Sequence, residues 1–334
     1  MSRRSRIASR AVGCASGVSD PDPQFWDGKA VVVTGGAGFL GRVVVRDITA
    51  LGADTTVVRS AEHDLRDPRA AREAVDGATV VIHLAANVGG IGFNRANPAP
   101  LVYDNMMMTA NIFEATRAAG VAKLVSACTV CAYPKFTASP FSEDDLWDGY
   151  PEESNAPYGL AKKMMLVLSD AYRRQYGFDS CAPIVANLYG PNDNFDLESS
   201  HVIAAMIRKY VEARERGDEQ VVLWGTGKPS REFLYVDDAA RALILAAERL
   251  AVSDPVNIGT GTETNIRTLA ETIQRLVGYE GQTVWDASRP DGQPRRSLDV
   301  SRARELMGFE ARVPLEDGLR ETIESFRAQL VAAS

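Results

Sequence analysis

The stretch "AVVVTGGAGFLG", residues 30–41, restricts the fold more than any other part of the chain. Its first four residues form a short apolar, mostly β-branched run, the pattern of a parallel strand buried on both faces. After Thr34 come Gly35, Gly38 and Gly41 at G-x-x-G-x-x-G spacing. Glycines at such a turn permit a sharp reversal and let backbone N–H groups approach a pyrophosphate at the N-terminus of the next helix. That helix is predicted to run through "FLGRVVVRDITALG". A ligand-free turn has the same composition. The order strand, glycine turn, helix is what makes a dinucleotide site credible. Gly35, Gly38, Phe39, Leu40 and Gly41 are therefore candidate cofactor-binding residues.

Strand and helix signals alternate from here on. "DTTVVRS", "ATVVIHLAA" and "KLVSA" read as strands. "PRAAREAV", "NPAPLVYDNMMMTANIFEATRAAG" and "NAPYGLAKKMMLVLSDAYRRQYG" read as helices, with Pro98 and Pro157 near two starts and Gly120 and Gly177 as stops. This alternation predicts an α/β fold, a doubly wound parallel sheet of the Rossmann type. After about residue 190 the pattern becomes mixed, which predicts a smaller mixed α/β substrate-binding cap. The expected division is a disordered tail over 1–25, a dinucleotide-binding domain over 26–190, and a cap over 191–334 partly interwoven with it.

Composition narrows the partners. The net charge is −7, which argues against nucleic acid, because phosphate neutralisation needs a basic face. No apolar run is long enough for a membrane span, and the N-terminal "MSRRSRIASRAVGCASGVSD" lacks the apolar stretch of a secretory signal. Four cysteines in 334 residues do not make a disulfide framework, so a reducing cytoplasm is expected. Cys128 and Cys131 stand at C-x-x-C spacing, but no second ligand pair accompanies them and they leave a strand rather than open a helix. No metal is expected.

The second strand ends in "VVRS", with Arg59 where an acidic residue would favour NAD. An arginine there suits a 2′-phosphate, so NADP(H) is favoured and NAD(H) stays open. Arg42 could join Arg59, and Asp64 is a candidate for the adenine edge. Leu65, Leu84, Ala85, Ala86 and Leu188 are further candidates for lining the cofactor. Tyr158 and Lys162 stand four apart in "YGLAK", which puts both on one helix face. An ammonium beside a phenol lowers the phenol pKa, and such a tyrosine can exchange a proton with a sugar hydroxyl while hydride moves to or from a nicotinamide. The same two residues are candidates for holding the cofactor.

With the glycine turn and the Y-x-x-x-K pair in this order, the chain resembles the extended short-chain dehydrogenase/reductases, over roughly residues 28–325. The resemblance implies that Thr129 completes the tyrosine–lysine pair and that Asn105 supports a proton relay to the lysine. It also implies a homodimer formed through a helix bundle that includes the tyrosine helix. "AANVGGIGFNRANP", "CAYPK", "NLYGPNDNF", "SHVIAAMIRK", "WGTGKPSREFLYVDDAA" and "RPDGQPRRSLDVSRA" are similar, in order, to the GDP-L-fucose synthase family. That family epimerises a GDP-4-keto-6-deoxymannose at carbons 3 and 5, then reduces carbon 4 with NADPH. By motif, its proton-exchanging cysteine and histidine correspond to Cys131 and His201. A thiol and an imidazole titrate near neutrality, and a 4-keto group acidifies the adjacent C–H bonds, so the chemistry is consistent. His83, inside a strand, reads as structural.

For a GDP-sugar, Trp224 offers a face for guanine, and Arg208, Lys209, Arg231 and Arg296 are cations suited to diphosphate. Asn187 and Asn194 could reach sugar or phosphate groups. Two features depart from the family: Thr129–Val130 stand where it has two serines, and the glycine turn is of the general epimerase kind. Two other readings stay open, a redox-neutral GDP-sugar isomerase with tightly bound NAD(P), and a non-catalytic cofactor-binding regulator.

Overall fold

The computed structural model describes residues 19–289 and 291–333. Its central sheet joins β1 (Ala30–Thr34), β2 (Asp54–Val58), β3 (Val80–His83), β4 (Lys123–Ser126), and, past a two-residue β5 (Cys128–Thr129), β6 (Ser180–Cys181). The order is β2-β1-β3-β4-β6 and every pairing is parallel. The chain moves outward from β1 to β2 and then crosses to β3 on the other side. The gap between the ends of β1 and β3 is thus the switch point where ligands of open parallel sheets bind. Thr34, His83 and Ser126 stand side by side in register at this edge.

The short helix α1 (Pro23–Trp26) precedes β1, and α2 (Phe39–Ala50) follows the glycine turn. Next come α3 (Pro68–Ala74), α4 (Ile91–Ala96), α5 (Pro98–Ala118) and α6 (Ala156–Tyr176). Helices α3, α5 and α6 pack together in sequence. Gly177 ends α6 in a left-handed conformation at φ 66°, as glycine can without a Cβ penalty. After β7 (Ile184–Val185) and β8 (Asn187–Tyr189) come α7 (Val202–Arg216) and α8 (Val236–Arg249). Although α8 lies in the later half of the chain, it packs on α2 and touches β3 and β4, so it covers the central sheet.

Two apolar cores result. One surrounds the central sheet and takes in Leu243, Ile244 and Leu245 of α8 together with Val256, Leu298 and Phe309. The other joins Phe195, Ile207, Tyr210, Leu269, Ile273 and Phe326 beside the strands Gln220–Trp224 and Gln282–Asp286. These last two strands pair in parallel.

The expected tail over 1–25 needs correction at its inner end; residues 1–18 lie outside the described residues. Ser19 N–H donates to Gly308 O at 3.0 Å and Asp22 N–H to Glu248 at 3.0 Å. Asp22 also caps α1. The indole of Trp26 is fully buried and donates to the same Glu248 at 2.6 Å. The sequence signals hid this because the anchoring groups lie on α8 and beyond.

Candidate active site

A cleft of about 1940 Å³ opens at the switch point and continues to the second core. Gly35, Gly38, Phe39, Leu40 and Gly41 line its floor, with Leu84, Ala85 and Ala86 from the end of β3. Gly35 has φ 69°, and a Cβ built there would lie 2.8 Å from Ala85 N. A Cβ on Gly41 would collide with the Gly35 carbonyl oxygen. The turn is compact because both positions lack a side chain, and it leaves the start of α2 open to a phosphate. This cradle suits a dinucleotide.

Arg59, Asp64 and Leu65 line one end of the floor. The Asp64 carboxylate is held by the Arg66 guanidinium at 2.7 Å, which also keeps its pKa below the usual carboxylate range. Arg66 reaches Asp104 at 3.1 Å, and Asp104 accepts from Asn87 at 3.0 Å. Asp64 therefore lines the cleft with its charge already engaged by Arg66, a cleft residue that the motif reading missed. Arg42 donates to Ala37 O at 2.8 Å and does not line the cleft.

Thr129, Cys131, Tyr158, Lys162, Asn187, Leu188 and His201 all line the same cleft, as do Lys209, Trp224, Arg231 and Arg296. Thr129 Oγ1 accepts from Cys131 N–H at 3.3 Å and so caps the 3₁₀ turn Val130–Ala132. Val130 is buried away from the cleft. The departure from a serine at that position therefore leaves the cleft wall unchanged. Tyr133 anchors the turn from behind, donating to Asn257 Oδ1 at 2.8 Å. Gly159, between the tyrosine and the lysine, lets α6 approach: a Cβ there would collide with the Cys131 carbonyl. The motif reading missed this contact because it lies between segments far apart in the chain.

The electrostatics differ from the expectation at Tyr158. Burial, with Cys131 and Cys128 nearby, pushes the phenol pKa above its ordinary value rather than below it. Burial also draws Lys162 down to about 8. Desolvation is the largest influence on both groups and favours the protonated phenol. His201 stands at the N-terminus of α7, exposed to the cleft, and the protein around the imidazole holds it below the usual pKa. His83 is fully buried, and its Nδ1 is 2.7 Å from Thr34 Oγ1. Burial draws it to about 3, with the Lys162 charge adding to the effect.

Three expected residues lie elsewhere. Asn105 is buried and does not line the cleft; its amide donates to Asn87 O at 2.8 Å and Leu101 O at 2.7 Å, and its oxygen accepts from Asn87 N–H. It clamps the loop after β3 instead of reaching the lysine. Arg208 pairs with Glu212 at 2.7 Å and caps Phe195 O, away from the cleft. The Asn194 side chain bonds Ser199 and Asp196 within its own loop. In each case a backbone or helix partner captures the polar group first. Arg296 lines the cleft but donates to Cys131 Sγ at 3.6 Å.

The model of the NAD dependent epimerase/dehydratase family matches residues 31–259. The chain belongs to that family. It is 40% identical over 308 residues to the GDP-L-fucose synthase of Escherichia coli K12, covering 89% of this chain and 96% of that one. It is 39% identical over 297 residues to GDP-L-fucose synthase 1 of Arabidopsis thaliana, covering 88% and 92%. The crystal structure of a GDP-L-fucose synthetase from Naegleria fowleri bound to NADP superimposes with a TM-score of 0.82 at 29% identity, covering 95% of this chain and 98% of that one. As a family member the chain has a Rossmann-type α/β fold, and the switch-point cleft is where such a fold takes its dinucleotide.

Proposed function

We propose that this chain is an NAD(P)-dependent GDP-sugar epimerase/reductase of the fucose synthase type. The carrying observation is that one cleft joins the glycine cradle and Tyr158–Lys162 to Cys131 and His201. Relatives named GDP-L-fucose synthase along nearly the whole chain support the same substrate class.

Gly35, Gly38 and Gly41 would hold the dinucleotide, with Arg59 at the 2′-phosphate. When bound, NADPH supplies the hydride for carbon 4. Cys131 and His201 take a proton from carbon 3 or 5 and return one to the opposite face; the 4-keto group stabilises the carbanion between these steps. Tyr158 then gives its proton to the carbon-4 oxygen, which Thr129 orients by a hydrogen bond. Lys162 offsets the resulting phenolate charge, so turnover should fall as pH rises through about 8, where Lys162 loses its proton. Arg231, Lys209 and Trp224 form the wall for the GDP moiety.

The surface supports a homodimer. Tyr103 and Met106 on α5 and Met164 and Val167 on α6 are exposed apolar side chains on two packed helices. The described cysteines are all free, in keeping with a reducing cytoplasm. Among the described residues no helix is long and apolar enough to cross a membrane.

The test incubates purified protein with GDP-4-keto-6-deoxymannose and other GDP-sugars, with and without NADPH. Loss of reduced-nicotinamide absorbance together with an epimerised, reduced product is expected. Product without that loss would move the reading to a redox-neutral isomerase. No turnover of any GDP-sugar would overturn both.

A further inference from the structure

Arg296 is a buried cation, 8% exposed, and among the described residues it makes no ion pair with a carboxylate. Its Nε and Nη2 donate to Gln293 Oε1 at 3.1 and 2.9 Å, and Nη1 donates to Cys131 Sγ at 3.6 Å. Gln293, also 8% exposed, donates through Nε2 to Lys135 O at 2.6 Å. Lys135 belongs to the same loop as Cys131, so the amide ties the guanidinium to the segment that carries the thiol. A buried charge whose acceptors are a neutral amide oxygen and a sulfur lacks a counter-ion. Of the groups the guanidinium bonds, the sulfur is the one that can become negative. Arg231 lies close enough for the two guanidinium charges to repel: burial first, then Arg296, draws Arg231 down to about 10.

We propose that Arg296, fixed by Gln293, is a positioning residue that supplies the counter-charge to the Cys131 sulfur during proton exchange, and that diphosphate binding falls to Arg231 and Lys209. This rests on the reading that Cys131 exchanges a proton with the sugar. In that exchange the C–H bond breaks, the proton joins sulfur or imidazole, and the electron pair moves into the 4-keto group as an enolate. Return of a proton to the opposite face restores the ketone. The sulfur is negative on one side of every exchange in which it takes part, and the guanidinium lowers the cost of that state.

The test compares the wild-type protein with Arg296→Gln, Arg296→Lys and Gln293→Ala. Three quantities are measured: the pH profile of iodoacetamide alkylation at the Cys131 peptide, deuterium uptake from solvent into GDP-4-keto-6-deoxymannose, and the Kd for GDP. In Arg296→Gln, alkylation near neutral pH and deuterium uptake should each slow about tenfold, the scale of one neighbouring charge. The alkylation profile should move to higher pH, with GDP affinity held within about twofold. Arg296→Lys should restore part of the loss, and Gln293→Ala should fall between, which covers the case in which Arg296→Gln does not fold. Weaker GDP binding with an unmoved alkylation profile would make Arg296 a diphosphate ligand and overturn the proposal. No deuterium uptake by the wild type would sink the epimerase reading, while the alkylation profile would still report on the Arg296–Cys131 contact.

Discussion

The floor of the cleft and its far wall are built from different materials. The floor is largely backbone: Gly35 and Gly41 are there because a Cβ would collide with Ala85 N or Gly35 O. Its parts come from the ends of adjacent strands. The far wall is made of side chains, Cys131, His201, Arg231 and Arg296, brought from separate loops and helices. A backbone floor fixes where a cofactor lies and is insensitive to most substitutions. A side-chain wall sets which protons move and can be altered one residue at a time. The two halves should therefore fail separately.

The largest effect is expected at Tyr158, where the halves meet. Tyr158→Phe should lower kcat about a thousandfold or more, since it removes the group proposed to protonate the carbon-4 oxygen, while NADPH affinity stays unchanged. Steady-state turnover alongside cofactor titration checks this, and retained turnover would remove Tyr158 from the mechanism. Cys131→Ser should slow deuterium exchange about a hundredfold yet spare reduction of a 4-keto sugar that needs no epimerisation. Equal loss of both activities would mean that the halves are not separable. Arg59→Ala should weaken NADPH binding about tenfold or more and leave NADH binding unchanged, as removal of one charge-assisted phosphate contact predicts. Parallel loss for both cofactors would move the 2′-phosphate elsewhere.

The smallest effect concerns stability beneath the floor. Folding lowers the His83 pKa from its ordinary 6.5 to about 3. In acid the unfolded chain binds a proton that the folded chain refuses, so stability falls as pH drops from 6.5 toward 3. Urea denaturation should show the wild type losing about 2 kcal/mol between pH 6.5 and 5 relative to His83→Gln. Matching slopes would place the acid sensitivity elsewhere.

The floor was legible in the sequence because its physics is local. A β-branched run, three glycines and a following helix all lie within residues 30–50, and Tyr158 and Lys162 share one helix turn. The wall was legible only through resemblance, since neither spacing nor periodicity relates Cys131 to His201 or Arg296. Where the reading erred, a tertiary partner intervened. Arg208 had Glu212 one turn away. Asn105 was taken by the backbone of Asn87. The four-residue spacing put Tyr158 and Lys162 on one helix face but says nothing about how much water the fold removes, and burial raises the Tyr158 pKa where the spacing alone predicted a fall. Gly159 passed unnoticed because its neighbour, the Cys131 carbonyl, is remote in sequence.

Helix α8 bears on how such an enzyme can be altered. It is encoded after most of the wall, yet it covers the floor's sheet, packing Leu243, Ile244 and Leu245 into that core. A truncation near residue 190 would strip one side of the sheet and leave an insoluble fragment, so the halves are not interchangeable cassettes. Grafting a new sugar preference onto this scaffold is a matter of exchanging loops such as 291–297, with the chain between and beyond them left whole.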